Sequence, residues 1–213
     1  MKRVILIGGG GHCKSIIDSL NQNTEYEIIG ILDIAEKVGT FINGIEIIGT
    51  DNDMRHFFSE GIENIFITLG SVGDTNLRQK MYEKAKLIGF KFPIIKDLTA
   101  IISTDTTIGE GTFIGKGVII NASVQIGTNA IINSGAIVEH DSTIGDYCHL
   151  APGSTFSGNV TIGDRTHIGT NATVIQGITI GKQSIVGAGS VVVRNIGANK
   201  VAYGNPCKEV EHE

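Results

Sequence analysis

The pair His140–Asp141 is the arrangement in this sequence best suited to proton transfer. Histidine titrates near neutral pH, so it can take up and release a proton during a reaction. A carboxylate directly beside the ring can hold it in one tautomer and make it more basic. We therefore expect His140 to act as a general base. Two more histidines, His149 and His167, stand 18 residues apart.

A second candidate site is the glycine-rich segment Gly8–Gly11, followed by His12, at the end of an apolar run. Gly8 and Gly10 match the first two glycines of the GxGxxG dinucleotide fingerprint, but Cys13 occupies the third. Such a loop directs backbone N–H groups and a helix start toward an anion. The pattern favours a pyrophosphate-bearing nucleotide sugar over NAD, and a glycine-rich turn without a ligand is the remaining interpretation.

Composition excludes several classes of function. The net charge is -5 and no Lys/Arg cluster stands out, which argues against a nucleic-acid partner. The three cysteines are scattered and form neither a disulfide framework nor a zinc-binding motif. The apolar run Val4–Ile7 is too short for a signal peptide or a membrane span, so we expect a cytoplasmic protein without membrane insertion.

Every sixth residue in the C-terminal half is large and apolar. We call these positions the anchors: Ile102, Ile108, Ile114, Ile120, Ile126, Ile132, Val138, Ile144, Leu150, Phe156, Ile162, Ile168, Val174, Ile180, Val186 and Val192. Glycine often follows the anchor directly, as at Gly109 and Gly163. This unbroken period predicts a parallel β-helix in which three hexapeptides form one coil of 18 residues. Anchors should point inward, and glycine or a small polar residue should permit each corner.

The repeat also predicts which residues are neighbours, because residues 18 apart should lie above one another at a strand spacing of about 4.8 Å. Gly158 should lie above His140, leaving a backbone amide and open space beside the imidazole. Such a slot suits a slim chain such as pantetheine. His149 and His167 should stack, either as ligand contacts or as a polar ladder on the outer face.

Residues 1–96 follow a different pattern, in which apolar strands alternate with amphipathic helices. This alternation predicts a small parallel α/β, Rossmann-like domain, followed by a β-helix domain and C-terminal tail over residues 97–213. The predicted strands are Val4–Ile7, Glu27–Asp33, Ile45–Ile48, Ile65–Leu69 and Lys91–Ile95, with helices over Ile16–Leu20, after a cap at Asp51, and over Asn76–Ile88.

The sequence resembles the hexapeptide-repeat sugar O- and N-acetyltransferases over nearly its whole length. The resemblance rests on the glycine loop with its histidine, the aspartate that ends the second strand, and the segments Ile137–Gly153 and Ser157–Gly163. This family includes sialic-acid O-acetyltransferases and N-acetyltransferases of nucleotide-linked amino-deoxy sugars. The resemblance implies a left-handed β-helix, acetyl-CoA as co-substrate without a metal, and a homotrimer with the active site between subunits.

The resemblance also implies roles for individual residues. His140 is implied as the general base and Asp141 as the acid that raises its basicity. The family's acetyl-CoA contacts match His149, Gly158, Thr170 and Ala188, and its nucleotide-sugar pocket matches Gly10, Gly11, His12, Asp33 and Gly70. The tail Tyr203–Lys208 resembles the segment that covers the CoA adenine. Two positions depart from the family pattern, with Ile34 where a second acid can stand and Gly10 where serine is common.

The predicted reaction is transfer of an acetyl group to the amino group of a nucleotide-linked amino-deoxy sugar by direct attack. O-acetylation of sialic acid or a related sugar is the alternative, because the sequence does not separate nitrogen from oxygen acceptors. A zinc enzyme of the carbonic anhydrase type would need a close histidine pair that this chain lacks. A non-catalytic binding protein would leave the His140–Asp141 pair unexplained. The sugar, the nucleotide and the pathway stay open.

Overall fold

The computed structural model describes residues 1–22 and 25–210 of the chain. They form two compact units. The α/β unit comprises Met1–Ser71 and Thr75–Leu98, and the β-helix unit comprises Val72–Asp74 and Thr99–Glu213.

The α/β unit is built on a five-stranded sheet in the order β3-β4-β2-β1-β5. All neighbouring strands are parallel except β3 and β4, which are antiparallel. Central β1 is buried from Val4 to Ile7, as an apolar strand covered on both faces must be. The elements are β1 Lys2–Ile7, α1 Gly11–Gln22, β2 Tyr26–Leu32, β3 Phe41–Ile42, β4 Ile45–Gly49, α2 Met54–Ser59, β5 Asn64–Ile67, α3 Asn76–Ile88 and β6 Ile95–Lys96.

Two details of the α/β unit differ from the sequence prediction. The predicted strand Lys91–Ile95 is reduced to a single bridge between Lys91 and Asn64, and β6 begins only at Ile95. The predicted cap at Asp51 is also wrong. Thr50 caps a 3₁₀ turn over Asp51–Asp53 through a reciprocal capping box, and α2 follows at Met54. Asp51 instead pairs with the Lys84 ammonium at 2.6 Å.

The β-helix unit consists of sixteen two-residue strands on three faces, and it confirms the predicted left-handed β-helix architecture. The first face holds β7 Ile101–Ile102, β10 Ile119–Ile120, β13 Ile137–Val138, β16 Thr155–Phe156, β19 Thr173–Val174 and β22 Val191–Val192. The second face holds β8 Thr107–Ile108, β11 Gln125–Ile126, β14 Thr143–Ile144, β17 Thr161–Ile162 and β20 Thr179–Ile180. The third face holds β9 Phe113–Ile114, β12 Ile131–Ile132, β15 His149–Leu150, β18 His167–Ile168 and β21 Ile185–Val186, to which the tail adds β23 Val201–Tyr203 and β24 Lys208–Val210.

Neighbouring coils pair in the predicted 18-residue register. Ile119 lies beside Ile137, and His149 lies beside His167. The anchors point inward, so that Phe156 and Ile168 are fully buried in a continuous apolar core. The prism is therefore held together by apolar burial inside and by backbone hydrogen bonds between coils.

The corners follow the prediction at most positions, because glycine or a small polar residue usually stands where the backbone turns. The residue three positions after an anchor adopts the left-handed conformation, as at Asn129, Asp141 and Asn171, where φ is +52°, +61° and +56°. The glycines directly after the anchors serve another purpose. A Cβ at Gly163 would lie 2.5 Å from the backbone nitrogen of Lys182 in the next coil. These glycines allow the coils to approach closely, and the turn itself is made two positions later.

Candidate active site

His140 and Asp141 occupy the corner between β13 on the first face and β14 on the second. The Nδ1 atom of His140 lies 2.8 Å from a carboxylate oxygen of Asp141. The carboxylate can only accept, so it holds the ring proton on Nδ1 and leaves the Nε2 lone pair to take up a proton. Both side chains are about 60% exposed, at 61% and 62%, so a substrate can reach them from solution.

The corner backbone explains how this pair is positioned. Asp141 adopts the left-handed conformation, and its N–H donates to the Ala122 carbonyl of the preceding coil at 3.0 Å. The His140 carbonyl accepts a hydrogen bond of 2.8 Å from the N–H of Asn159 in the following coil. The histidine and its acid are thus fixed by coils on both sides, and aspartate tolerates the positive φ better than most residues.

Gly158 lies directly above His140, in the predicted register. A Cβ at this position would lie 2.6 Å from both Nε2 and Cε1 of the imidazole. The space that the sequence predicted to be open is therefore filled by the imidazole itself, and glycine is required because the ring packs on its Cα. The Gly158 carbonyl accepts from Gly177, while no described residue accepts from the Gly158 N–H.

His149 and His167 stack on the outside of the third face, as predicted. Their ring centroids are 4.9 Å apart and their planes are inclined at 72°. The Nε2 atom of His149 also lies 3.3 Å from the side-chain nitrogen of Asn133, a neighbour that sequence reasoning missed. His167 is buried, and burial lowers the pKa of its imidazole.

Thr170 and Ala188 lie on another edge of the prism, between the third and first faces. They are one coil apart, and the Thr170 carbonyl accepts a hydrogen bond of 2.8 Å from the N–H of Gly189, which follows Ala188. The tail nearby is held to the first face by a hydrogen bond of 2.8 Å from the Cys207 N–H to the Val191 carbonyl. Within one prism, the structure unites His140 with Asp141 and Gly158, but places the other predicted acetyl-CoA contacts on a different face and edge.

In the α/β unit, the loop after β1 collects the predicted nucleotide-sugar residues. Gly8 has a φ of +101° and its Cα packs against the Leu69 side chain, so the fold itself requires glycine there. A Cβ on Gly10 or Gly11 would meet nothing within 4 Å, so no described contact demands glycine at those positions. Gly70, which follows β5, lies near His12, since a Cβ placed on Gly70 would be 3.5 Å from the Cβ of His12.

Asp33 has a structural task that the sequence did not reveal. Its carboxylate accepts hydrogen bonds from the Gly9 N–H at 2.7 Å, the Ile34 N–H at 2.7 Å and the Lys37 ammonium at 3.0 Å. Burial acts to raise the pKa of this carboxyl group, but the two backbone donors and Lys37 outweigh it, so the net pKa is lowered. Asp33 therefore stays charged and ties the glycine loop to the end of β2.

A cleft of about 430 Å³ opens at the carboxyl ends of β1 and β2. Its walls include Asp33 and residues that sequence reasoning had not assigned to a site: Glu36, Asn52, Leu69, Leu77 and Lys80. Ile34, at the position where the family can carry a second acid, is 56% exposed and lines the same cleft. Open parallel sheets bind ligands at the carboxyl ends of their strands. The loops that follow the predicted strands were therefore the sequence signal that could have located this cleft.

The described part of the chain contains neither a metal-binding cluster nor a membrane-spanning helix. Among residues 1–22 and 25–210, no three His, Cys, Asp or Glu side chains are grouped so that they could hold a metal ion. None of the helices in these ranges is long and apolar enough to cross a membrane.

Comparison with known protein families matches both units. Residues 3–85 match the PglD N-terminal domain. Residues 105–140 match the bacterial transferase hexapeptide family (six repeats), and residues 159–194 match the hexapeptide repeat of succinyl-transferase.

Solved structures resemble the chain over nearly its full length. A variant of perosamine N-acetyltransferase from Caulobacter crescentus, in complex with CoA and GDP-perosamine, is 39% identical, with a TM-score of 0.93 over 98% of this chain and 97% of that one. The acetyltransferase domain of PglB from Neisseria gonorrhoeae FA1090, in complex with acetyl coenzyme A, is 29% identical, with a TM-score of 0.89 over 98% of this chain and 99% of that one.

A curated relative is the UDP-N-acetylbacillosamine N-acetyltransferase of Bacillus subtilis strain 168. It is 38% identical over 114 residues, which make up 54% of this chain and 51% of that protein. The chain spans at most about half the length of the curated relatives it matches.

Proposed function

This chain belongs to the family of hexapeptide-repeat sugar N-acetyltransferases with a PglD N-terminal domain, and from that membership we propose its reaction. The acetyl group of acetyl-CoA is transferred to the amino group of a nucleotide-linked amino-deoxy sugar. The observation that carries this proposal is the His140–Asp141 pair packed on Gly158 at an exposed corner. The relatives named as N-acetyltransferases favour a nitrogen acceptor over the sialic-acid hydroxyl.

The proposed mechanism is direct attack without an enzyme-bound intermediate. The Nε2 atom of His140 takes a proton from the sugar amine as its nitrogen forms a bond to the thioester carbon. The Gly158 N–H donates to the oxygen of the tetrahedral intermediate. The carbon–sulfur bond then breaks, and the leaving CoA sulfur receives the proton from the His140 imidazolium. Cys148 is fully buried beside the core, so it is not placed to act as a nucleophile.

The α/β unit supplies the proposed site for the nucleotide. Gly10 and Gly11 leave room for a pyrophosphate at the start of α1, where backbone N–H groups favour an anion. The cleft beside Asp33 has the volume and the mixed apolar and polar walls suited to a nucleoside. The Caulobacter relative was solved with GDP-perosamine, and we take a nucleotide-linked amino sugar of that kind as the acceptor here. An acetyl-transfer assay with sugars linked to different nucleotides determines which nucleotide this chain prefers.

The proposed site needs a second copy of the chain. His140 lies on the edge between the first and second faces, whereas His149 projects from the third face and Thr170 lies on the third edge. A single prism separates these groups, so one acetyl-CoA can meet all of them only between two copies. Outward residues also differ between faces, with apolar Ile101, Ile119, Ile137 and Val191 on the first and only Thr or Gln on the second. We therefore propose a homotrimer with its active sites between subunits.

The test is an acetyl-transfer assay with purified protein, acetyl-CoA and a panel of GDP-, UDP- and dTDP-linked 4-amino-4,6-dideoxy sugars. We expect thiol release to be coupled to a product carrying a new amide, and to be unchanged by a metal chelator. Product carrying an acetyl ester instead would establish O-acetylation. Transfer that a chelator abolished and zinc restored would overturn the metal-free mechanism. A stable monomer near 22.6 kDa in light scattering would contradict the shared site.

A further inference from the structure

His167 is a buried polar side chain with no part in the reaction proposed above. Only 8% of its surface is exposed, and its Nδ1 atom has no hydrogen-bond partner among the described residues. Burial is the cause of its lowered pKa, and no charged side chain in the described ranges contributes. Its neighbours along the third face are His149 in the preceding coil and Ile185 in the next. Burial therefore disfavours the charged form of the His167 ring.

The proton on His149 can be located from its other neighbour, Asn133. The Oδ1 atom of Asn133 accepts a hydrogen bond of 2.8 Å from the Ser134 N–H, so the atom there must be oxygen. The amide atom 3.3 Å from Nε2 of His149 is then the NH₂ group, which can only donate. It follows that Nε2 accepts, and that the single ring proton of a neutral His149 lies on Nδ1.

We propose that His167 is a positioning residue that holds the His149 ring in one orientation, with its ring proton on Nδ1. The inference rests on the proposed function, in which His149 contacts acetyl-CoA. His149 would meet the cofactor as an oriented hydrogen-bond donor, suited to the carbonyl oxygens of a thioester or a pantetheine amide, and not as a second base. Proton transfer is thereby reserved for His140.

The geometry explains why a ring is needed at position 167. The two rings meet edge to face at 4.9 Å, a separation at which aromatic rings pack favourably. This packing covers one side of His149 while Asn133 holds one of its nitrogens. Removing the ring would leave His149 free to reorient and allow its tautomers to mix.

The direct test is ¹⁵N NMR of the wild-type protein labelled at histidine. We expect His149 to show a protonated Nδ1 and an unprotonated Nε2. A protonated Nε2 would overturn the proposal. This measurement needs no turnover, so it stands even if the proposed reaction is wrong, whereas absence of acetyl transfer by the wild type would count only against that reaction.

The kinetic test compares His167→Ala with His167→Phe. Loss of one oriented hydrogen bond predicts a rise in KM for acetyl-CoA of roughly 3–10-fold in His167→Ala, with kcat nearly unchanged. His167→Phe keeps a buried ring and should restore the wild-type KM. The matched control is Thr161→Ala, which truncates an outward strand residue on the second face and should change neither constant.

Two kinetic outcomes would overturn the proposal. One is an unchanged KM in His167→Ala, and the other is a His167→Phe protein as impaired as His167→Ala, which would mean that the imidazole acts through its own hydrogen bonds. If His167→Ala does not fold, His167→Phe and the NMR measurement still decide the matter.

Discussion

The two units place their functional residues by different rules. In the β-helix unit a residue's location follows from its distance along the chain, so that Gly158 must lie above His140. In the α/β unit, Gly9 and Asp33 are 24 residues apart and meet only because β1 pairs with β2. Roles that depend on chain distance can be predicted from a sequence, while roles that depend on tertiary pairing become visible only in the structure.

The strongest test of the repeat-based placement is His140→Ala. We expect kcat to fall by roughly 10²–10⁴-fold, because a general base is lost, while acetyl-CoA affinity measured by calorimetry stays near the wild type. Asp141→Asn should cause a smaller loss, since asparagine tolerates the left-handed corner and can still accept from Nδ1. Wild-type turnover in His140→Ala would contradict the assignment. Loss of CoA binding alone would make His140 a cofactor contact and His149 the better candidate base.

Gly158→Ala tests the placement of Gly158 above His140 without removing a catalytic group. The added Cβ would lie 2.6 Å from the imidazole and must push it aside. A displacement of about 1 Å can cost roughly 10²-fold in kcat. The control is Gly117→Ala, at a left-handed corner where a Cβ meets nothing within 4 Å. Steady-state kinetics on both variants should show the loss in Gly158→Ala only, and equal activity would mean that the ring has room to move.

The two kinds of glycine in the β-helix unit should differ in their effect on stability. Gly163→Ala introduces a contact with the backbone of the next coil and should cost about 2–3 kcal/mol. Gly117→Ala introduces no close contact, so only the left-handed conformation at this position should lower the free energy of unfolding, by about 1 kcal/mol. Denaturant unfolding of both variants measures the difference. Equal losses would show that coil spacing adjusts more freely than the structure indicates.

The smallest expected effect concerns the Asp33 hydrogen bonds that tie the glycine loop to the end of β2 in the α/β unit. The folded-state pKa of Asp33 is lowered, so its contribution to stability is present above the unfolded pKa of about 3.9 and is lost as the pH falls toward the folded value. Asp33→Asn should reduce stability at pH 7 by about 1 kcal/mol and remove this part of the acid sensitivity. Thermal unfolding at pH 7 and below pH 4 tests it. An Asp33→Asn variant as acid-sensitive as the wild type would contradict this role of Asp33.

The sequence was sufficient for the coil register because the period of six repeats without interruption. It predicted Gly158 above His140 and His149 beside His167, and both neighbours are present. It did not predict that the imidazole fills the space over Gly158. That outcome depends on a side-chain rotamer, and periodicity carries no information about rotamers.

Other features were out of reach for related reasons. Asn133 meets His149 as a diagonal neighbour on adjacent strands, a contact that the 18-residue rule does not include but that a diagonal rule would find. Glu36, Asn52 and Lys80 line the cleft because the turn after β2, the turn after β4 and helix α3 meet at one sheet edge, which only the strand order establishes. Asp33 was expected at the substrate site, and only the structure shows how much of its carboxylate the loop occupies.

The last two strands have a consequence for self-association. A stack of parallel coils has no natural end, and an uncovered terminal coil would offer its edge to another molecule, as in fibre growth. Here β24 turns back and pairs antiparallel with β23, from Val201 beside Val210 to Tyr203 beside Lys208. An incoming coil would meet a strand of reversed polarity with charged Lys208 and Glu209 on it. The tail thus covers the C-terminal edge of the third face, and we expect it to oppose end-to-end stacking of one β-helix on another.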